Sequence, residues 1–228
     1  MIQLSDVGKT FRRGTREVKA LDGVTLHLEK GEYVVVEGPS GSGKTTLLFV
    51  MAGLIRPTVG EVVVDDVSLG ACTPAELAKL RKKCFGFVFQ MFHLIPYLSA
   101  QENVMVPMGL AGASPDEATR RAGELLERFG LAERSGHLPA ELSAGEKQRV
   151  AIARAVANHP PVILADEPTG NLDRRAADEV FDAFDDIQRD GTAVVVVTHD
   201  ERVAAKAQRV IRLDGGRLCE TAEPPRPT

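Results

Sequence analysis

The sequence predicts an α/β fold with two additions, an antiparallel β subdomain near its start and an inserted α-helical subdomain in its middle. Three observations carry that expectation. A continuously apolar run, Tyr33-Val34-Val35-Val36, leads straight into a glycine-rich turn and then into helix-forming sequence. Two further apolar runs, Val162-Ile163-Leu164-Ala165 and Thr192-Ala193-Val194-Val195-Val196-Val197, have the length and β-branched content of strands buried in a parallel sheet. Between residues 91 and 160 helix starts recur, with no convincing strand among them.

Taken in chain order, alternation comes first. Val24, Leu26 and Leu28 alternate with polar residues until Glu29-Lys30-Gly31 ends the run, the pattern of a half-buried antiparallel strand. After Val36 the glycine-rich turn passes into a helix expected from about Lys44 to Gly53. Glu61-Val62-Val63-Val64 and Phe85-Gly86-Phe87-Val88-Phe89 read as further strands. Several helix starts carry Ser or Thr followed three positions later by Glu, the sequence form of a capping box. They are Thr73/Glu76 with Pro74, Ser99/Glu102, Ser114/Glu117 with Pro115, and Ser143/Glu146.

The helix after Ser114 repeats Ala118, Ala122, Leu125, Leu126 and Phe129 at helical spacing and stops at Gly130. Another, with Val180, Phe181, Phe184 and Ile187, separates the last two apolar runs, and Asp214-Gly215-Gly216 reads as a hairpin turn. The expected organisation is one domain over residues 1–220, a helical insertion over roughly 91–160, and a disordered tail over 221–228.

Composition narrows the class. The chain has 228 residues, 43% hydrophobic and 26% charged, as in ordinary globular proteins. A net charge of -4, from 28 basic and 32 acidic residues, gives no electrostatic reason to expect nucleic acid as a partner. Cys72, Cys84 and Cys219 lack metal-ligand spacing and suit a reduced, cytoplasmic protein. Met1 to Arg12 has no apolar stretch that could be a signal peptide. No uncharged apolar run reaches the roughly 18 residues of a membrane span, so any membrane role is expected to be peripheral.

Four sites of potential chemistry stand out. Gly38-Pro39-Ser40-Gly41-Ser42-Gly43-Lys44-Thr45 matches the phosphate-binding pattern G-x-x-x-x-G-K-[ST] in full, with Thr46 continuing into the helix. Backbone N–H groups of such a loop wrap phosphates, and glycine permits their close approach. Lys44 supplies a positive charge, Thr45 a hydroxyl for Mg²⁺, and the helix its positive dipole end. A glycine-rich turn without a ligand is the bland alternative, and the full match between strand and helix argues against it.

Asp166 and Glu167 follow an apolar run, so both carboxylates are expected at the carboxyl end of a core strand, where α/β sheets bind ligands. Asp166 suits Mg²⁺, and Glu167 suits polarising an attacking water. In Leu142-Ser143-Ala144-Gly145-Glu146 the serine caps a helix whose start is also an anion site, approachable at Gly145. His199 follows the last buried run and could hydrogen-bond a terminal phosphate. His27, His93, His137 and His159 lack such a setting and read as structural.

Together with Gln90, these residues in this order resemble the nucleotide-binding subunit of ATP-binding cassette transporters, from Phe11 to about Leu218. The specific mark is Leu142-Ser143-Ala144-Gly145-Glu146-Lys147-Gln148. Gly86-Phe87-Val88-Phe89-Gln90, Glu102-Asn103-Val104 and Asp166-Glu167-Pro168-Thr169-Gly170-Asn171-Leu172-Asp173 look like the branch of lipoprotein-releasing and macrolide-exporting ATPases, with the related cell-division ATPase. The resemblance implies a P-loop NTPase core that binds ATP and Mg²⁺ and hydrolyses ATP. Phe11 matches the aromatic that stacks on adenine, and Gln90 matches a residue that senses Mg²⁺ and the attacking water. Asp173 matches a loop that touches a partner subunit.

The family works as a head-to-tail pair, a homodimer or a pair with a second such ATPase. Ser143 and Gly145 of one chain would then reach the nucleotide held by Lys44 of the other. A separate transmembrane permease and a place at the inner face of the cell membrane follow from the same resemblance. Some of Phe92, Leu94 and Tyr97, in the apolar stretch after Gln90, are expected to receive a short helix of that partner. An ATP-binding regulatory or scaffolding subunit, of cell-division type, is the alternative, and intact Glu167 and His199 argue against it. The chain departs from the family's usual signature at Ala144 and Glu146, and the added negative charge of Glu146 near ATP would weaken the site unless it folds back into the capping box.

Overall fold

In the computed structural model, which describes residues 1–14 and 16–222, the apolar runs become strands and the capped segments become helices. The strands are β1 (Ile2–Arg13), β2 (Arg16–Leu28), β3 (Tyr33–Glu37), β4 (Val59–Val64), β5 (Val67–Ser68), β6 (Phe85–Phe89), β7 (Val162–Asp166), β8 (Ala193–Val197), β9 (Arg209–Asp214) and β10 (Arg217–Ala222). The helices are α1 (Lys44–Met51), α2 (Pro74–Cys84), α3 (Ala100–Ala111), α4 (Pro115–Arg128), α5 (Ala144–Val156), α6 (Arg174–Arg189) and α7 (Glu201–Ala204). Two compact units result: Met1–Arg81 joined by the chain from Ala193 onward, and Lys82–Thr192.

In the first unit an antiparallel sheet runs in the order β2-β1-β4-β5. Its inner face buries Ile2, Leu4, Val7, Val24, Leu26, Leu28, Val62 and Val64. β1 is a strand that the alternation pattern does not announce. Asp6 adopts φ 49° and the pairing shifts register between Leu4 and Val7, so the apolar period breaks in mid-strand. β3 pairs in parallel with both β8 and β9, and its four apolar residues are buried. The β9–β10 hairpin turns through Gly215 and Gly216 at φ 51° and 80°, values that favour glycine.

The second unit pairs β6 in parallel with β7, packs α5 against β6, and packs α3, α4 and α6 against α5. Gly86 in β6 is required by α5: a Cβ there would lie 2.2 Å from the Ala155 carbonyl oxygen. α4 buries Ala118, Ala122, Leu125 and Leu126, while α6 buries Ala177, Val180, Phe181, Phe184 and Ile187, each at helical spacing. Among the described residues no strand lies between Phe89 and Val162, and the first helix of this stretch begins at Ala100. The reciprocal capping bonds form at Thr73, Ser99 and Ser143. At Ser114 only half of the box forms, the Glu117 amide donating to the hydroxyl at 3.3 Å. The expected tail at 221–228 falls, from residue 223 onward, outside the described residues.

The architecture is therefore α/β, with an antiparallel sheet and a helical portion, as the sequence predicts. Among the described residues no helix is long and apolar enough to cross a membrane.

Candidate functional site

In the first unit, the turn between β3 and α1 is fixed by close approach of backbone. A Cβ at Gly38 (φ 154°) would lie 2.0 Å from the Leu213 carbonyl oxygen, and one at Gly43 (φ 105°) 2.2 Å from that of Ala20. The Ser42 amide donates to Pro39 O at 3.1 Å, and the Gly216 amide donates to Ser42 O at 3.0 Å, which ties the turn to the β9–β10 hairpin. Lys44 is only 7% exposed, and its Nζ donates to Gly38 O at 2.8 Å and Pro39 O at 3.1 Å.

Ser42 Oγ is buried and has no hydrogen-bond partner among the described residues. An unpaired buried hydroxyl is costly, and an arriving phosphate oxygen would satisfy it. Gly43 caps α1 without a side chain, and no acidic residue occupies the first helical turn. The turn thus offers a buried cation, an orphan hydroxyl and uncapped helix N–H groups to one anion. Ser40, Gly41 and Thr45 are exposed beside it, and Thr46 is half-buried.

Phe11 lies on β1 with 39% of its surface exposed, and Lys9 Nζ is 5.1 Å from its ring centroid. His199 is exposed just after β8. The backbone amide of its neighbour Asp200 donates a hydrogen bond to Thr198 Oγ1 at 3.0 Å. Hydrogen bonds from Arg202 hold the Asp200 carboxyl below its usual pKa.

The second unit brings Gln90, the Asp166-Glu167 loop, the Ser143 helix start and Asp173 into one connected set. Asp166 ends β7, and Glu167 follows at φ 47°, a left-handed conformation that costs a non-glycine residue about 1–2 kcal/mol. The loop beyond is closed by Gly170 N donating to Glu167 O at 3.1 Å and Leu172 N donating to Thr169 O at 3.0 Å. Gln148, fully buried on α5, donates through Nε2 to Pro168 O at 2.6 Å. Asn171 Nδ2 donates to Gln90 O at 3.0 Å, and Gln90 Nε2 donates to Asn171 Oδ1 at 3.4 Å. A Cβ at Gly170 would come within 2.7 Å of Gln90 Nε2, so the Gln90 side chain would have to shift to admit one.

Ser143 and Asp173 cap neighbouring helices. The Ser143 hydroxyl accepts from Glu146 N at 3.2 Å, and Asp173 Oδ1 accepts from Ala176 N at 2.8 Å. Gly145 lets the two starts meet, since a Cβ there would lie 2.9 Å from Ala176 Cβ. A cleft of about 410 Å³ opens between them, lined by Ser143, Ala144, Gly145, Asp173, Arg175 and Ala176 among others. Glu146 folds back: one oxygen accepts from Ser143 N at 2.8 Å and the other from Arg134 Nε at 2.9 Å. Arg134 first, and the Ser143 amide second, hold its pKa at about 2. Its charge is thereby committed to the cap and to Arg134.

Four residues that no spacing rule marks complete this set. Asn171 and Gln148 act through the bonds just given. Asn103, fully buried on α3, accepts from Ile95 N at 2.7 Å and donates to the carbonyls of Ile95, Leu98 and Ser99. Arg154, in the last turn of α5, donates to Phe92 O and His93 O at 2.7 and 2.6 Å. For Asn103 and Gln148 an amide on the buried side of a helix is the available sequence signal, whereas Asn171, exposed in the loop before α6, carries no such signal. His93, expected to be structural, packs edge-on against Phe89 with ring centroids 5.0 Å apart.

Known proteins give this geometry a context. The ABC transporter family model matches residues 21–170. The chain is 50% identical over 216 residues to the macrolide export ATP-binding/permease protein MacB of Rhodopseudomonas palustris, covering 94% of this chain and 33% of that protein. It is 44% identical over 218 residues to the uncharacterized ABC transporter ATP-binding protein YknY of Bacillus subtilis, covering 96% of this chain and 95% of that one. The chain thus spans about a third of the MacB relatives and nearly the whole of YknY. A solved dimeric structure, the ATP-binding cassette MJ0796 in a post-hydrolysis state bound to ADP and Pi, superposes with a TM-score of 0.92 at 41% identity, over 99% of this chain and 100% of that one.

Proposed function

The chain belongs to the ABC transporter family as an ATP-hydrolysing, nucleotide-binding domain, and we propose that two such domains close head-to-tail around ATP to drive a membrane permease. The observation that carries the proposal is the cleft at the start of α5. Ser143 and Gly145 present a second helix start, in addition to that of α1, beside the Asp173 turn. One ATP needs only one phosphate loop, so a further anion-competent helix start fits a nucleotide held by a second chain. The dimeric state of the solved cassette supports this reading.

Within that reading, Lys44 counters the β- and γ-phosphates, and Ser40, Gly41, Ser42, Gly43 and Thr46 surround them with N–H and hydroxyl donors. Phe11 offers its exposed ring to adenine. Glu167 takes the proton of the attacking water, with Gln90 orienting that water and His199 hydrogen-bonding the departing phosphate. The oxygen donors of Thr45, Gln90 and Asp166 are of the hard type that Mg²⁺ selects. Among the described residues no cluster of three or more His, Cys, Asp or Glu could hold a metal, which suits an ion completed by nucleotide oxygens and water. When bound, Mg²⁺ would neutralise charge on the phosphates.

The MacB relatives are named as ATP-binding and permease protein together and YknY as an ABC transporter ATP-binding protein, names that support a permease as the partner of this domain. The place of action would be the cytoplasmic face of the membrane. Of the three residues expected to receive the permease, Tyr97 is 77% exposed while Phe92 and Leu94 are half-buried, so Tyr97 is the apolar anchor proposed, joined by the exposed Met91.

Sedimentation tests the sandwich. The Glu167→Gln protein, slow to hydrolyse, should dimerise when ATP is added. Adding Ser143→Arg should leave ATP binding intact and the protein monomeric, because a bulky cation blocks the helix start. A dimer indifferent to ATP and to Ser143→Arg would sink the sandwich.

A further inference from the structure

The turn that follows Gln90 is held in an uncommon backbone conformation by a side chain from another element. Phe92 and His93 are consecutive non-glycine residues at φ 60° and 49°. L-residues avoid this region, and two in a row persist only when surroundings over-determine them. The local bonds, Phe92 N to Phe89 O at 3.1 Å and His93 N to Met91 O at 2.5 Å, form the turn but leave the carbonyls of Phe92 and His93 without local partners.

Those two carbonyls converge on the Arg154 guanidinium, whose two terminal nitrogens donate to one each, at 2.7 and 2.6 Å. Among the described residues Arg154 forms no ion pair, and burial pushes its pKa down. A desolvated arginine spent on backbone carbonyls is costly, and its planar fork suits a pair of acceptors as lysine's single ammonium does not.

The same helix, α5, carries Ser143 at its start and Gln148 on Pro168 in its middle. Asn171 holds the Gln90 carbonyl itself and Asn103 holds the backbone from Ile95 to Ser99, so Arg154 fixes the turn between them. We infer that Arg154 is a positioning residue: by clamping Phe92 and His93 it sets the direction in which Gln90 leaves β6, and it makes the signature helix and the Gln90 loop move as one piece. This rests on the proposed role of Gln90 in hydrolysis.

The test compares the wild type with Arg154→Lys, Arg154→Gln and Arg154→Gln combined with Phe92→Gly and His93→Gly. Each is assayed for ATP turnover, binding of a fluorescent ATP analogue and thermal unfolding. Glycine adopts a left-handed φ at no steric cost, so the glycine pair keeps the turn without the clamp. Arg154→Gln should lose turnover by about tenfold or more, as small misplacements of catalytic groups do. Its analogue affinity should stay near that of the wild type. Arg154→Lys should fall between, and the glycine pair should restore most of the lost turnover.

Full turnover in Arg154→Gln overturns the inference. So does a folded triple variant that stays slow. If Arg154→Gln fails to fold, the triple variant decides: folded and active supports the inference, whereas unfolded makes Arg154 a structural bolt and overturns it. A wild type without ATP turnover would instead count against the proposed function.

Discussion

Gln90 and Asn171, 81 positions apart in the chain, hydrogen-bond to each other through both backbone and side chain. Asn171 Nδ2 holds the Gln90 carbonyl, and its Oδ1 receives the Gln90 side-chain amide. Asn171 stands two residues before Asp173, which caps α6. The proposed water-orienting glutamine and the proposed partner-facing loop are therefore mechanically joined.

Asn171→Ala should release the Gln90 amide while leaving the phosphate loop untouched. Turnover is expected to fall by about tenfold, the scale of a modest misplacement, with ATP affinity little changed. Steady-state kinetics with a separate binding titration measures both. Unchanged kcat would mean that Gln90 is oriented without Asn171.

Two substitutions separate chemistry from binding. Glu167→Gln should keep ATP binding and cut turnover by about 10²-fold or more, as expected when a positioned acid–base group is lost. Lys44→Ala should weaken nucleotide binding itself, because the buried cation among the loop carbonyls is the counterion of the phosphates. Near-normal turnover in Glu167→Gln would remove that residue from the catalytic role.

Local signals were legible in the sequence and non-local ones were not. The phosphate loop, the strand ending in Asp166 and the Ser143 cap each depend on neighbours within a few residues, and their patterns survive in one dimension. β1 escaped because Asp6 at φ 49° breaks its alternation. Asn171 and Gln148 stand inside strings that carry the resemblance, yet what they do was not legible, nor was Arg154, because their partners are backbone carbonyls far along the chain, which leave no mark in the sequence. The commitment of Glu146 to Arg134 was half legible: its spacing from Ser143 announced the cap, whereas nothing announced the arginine.

Ala144 is the first residue of α5 and has ordinary helical backbone beside the cleft. Replacing it with glycine should therefore bring no gain in turnover and should cost less stability than the roughly 0.5–1 kcal/mol of a glycine in a helix interior. Urea unfolding and an ATPase assay on Ala144→Gly check both parts. A marked rise in turnover would show that the alanine methyl obstructs nucleotide.

Glu146 predicts a pH dependence whose direction follows from its folded pKa of about 2, below its ordinary 4.5. A depressed carboxylate binds its proton less readily when folded than when unfolded, so ionisation stabilises the fold. That stabilisation is fully present above about pH 4.5 and is lost as pH falls towards 2. Glu146→Gln keeps the length of the side chain and removes the charge that Arg134 and the Ser143 amide engage. Arg134 is 45% exposed, so solvent screens the pair and the expected loss at pH 7 is on the order of 1 kcal/mol. Urea unfolding of both proteins at pH 7, 4 and 3 should show the gap constant down to roughly pH 4.5 and narrowing below it. A gap that stays constant into acid would mean that the carboxylate's charge contributes nothing and that only its hydrogen-bonding shape matters to the cap.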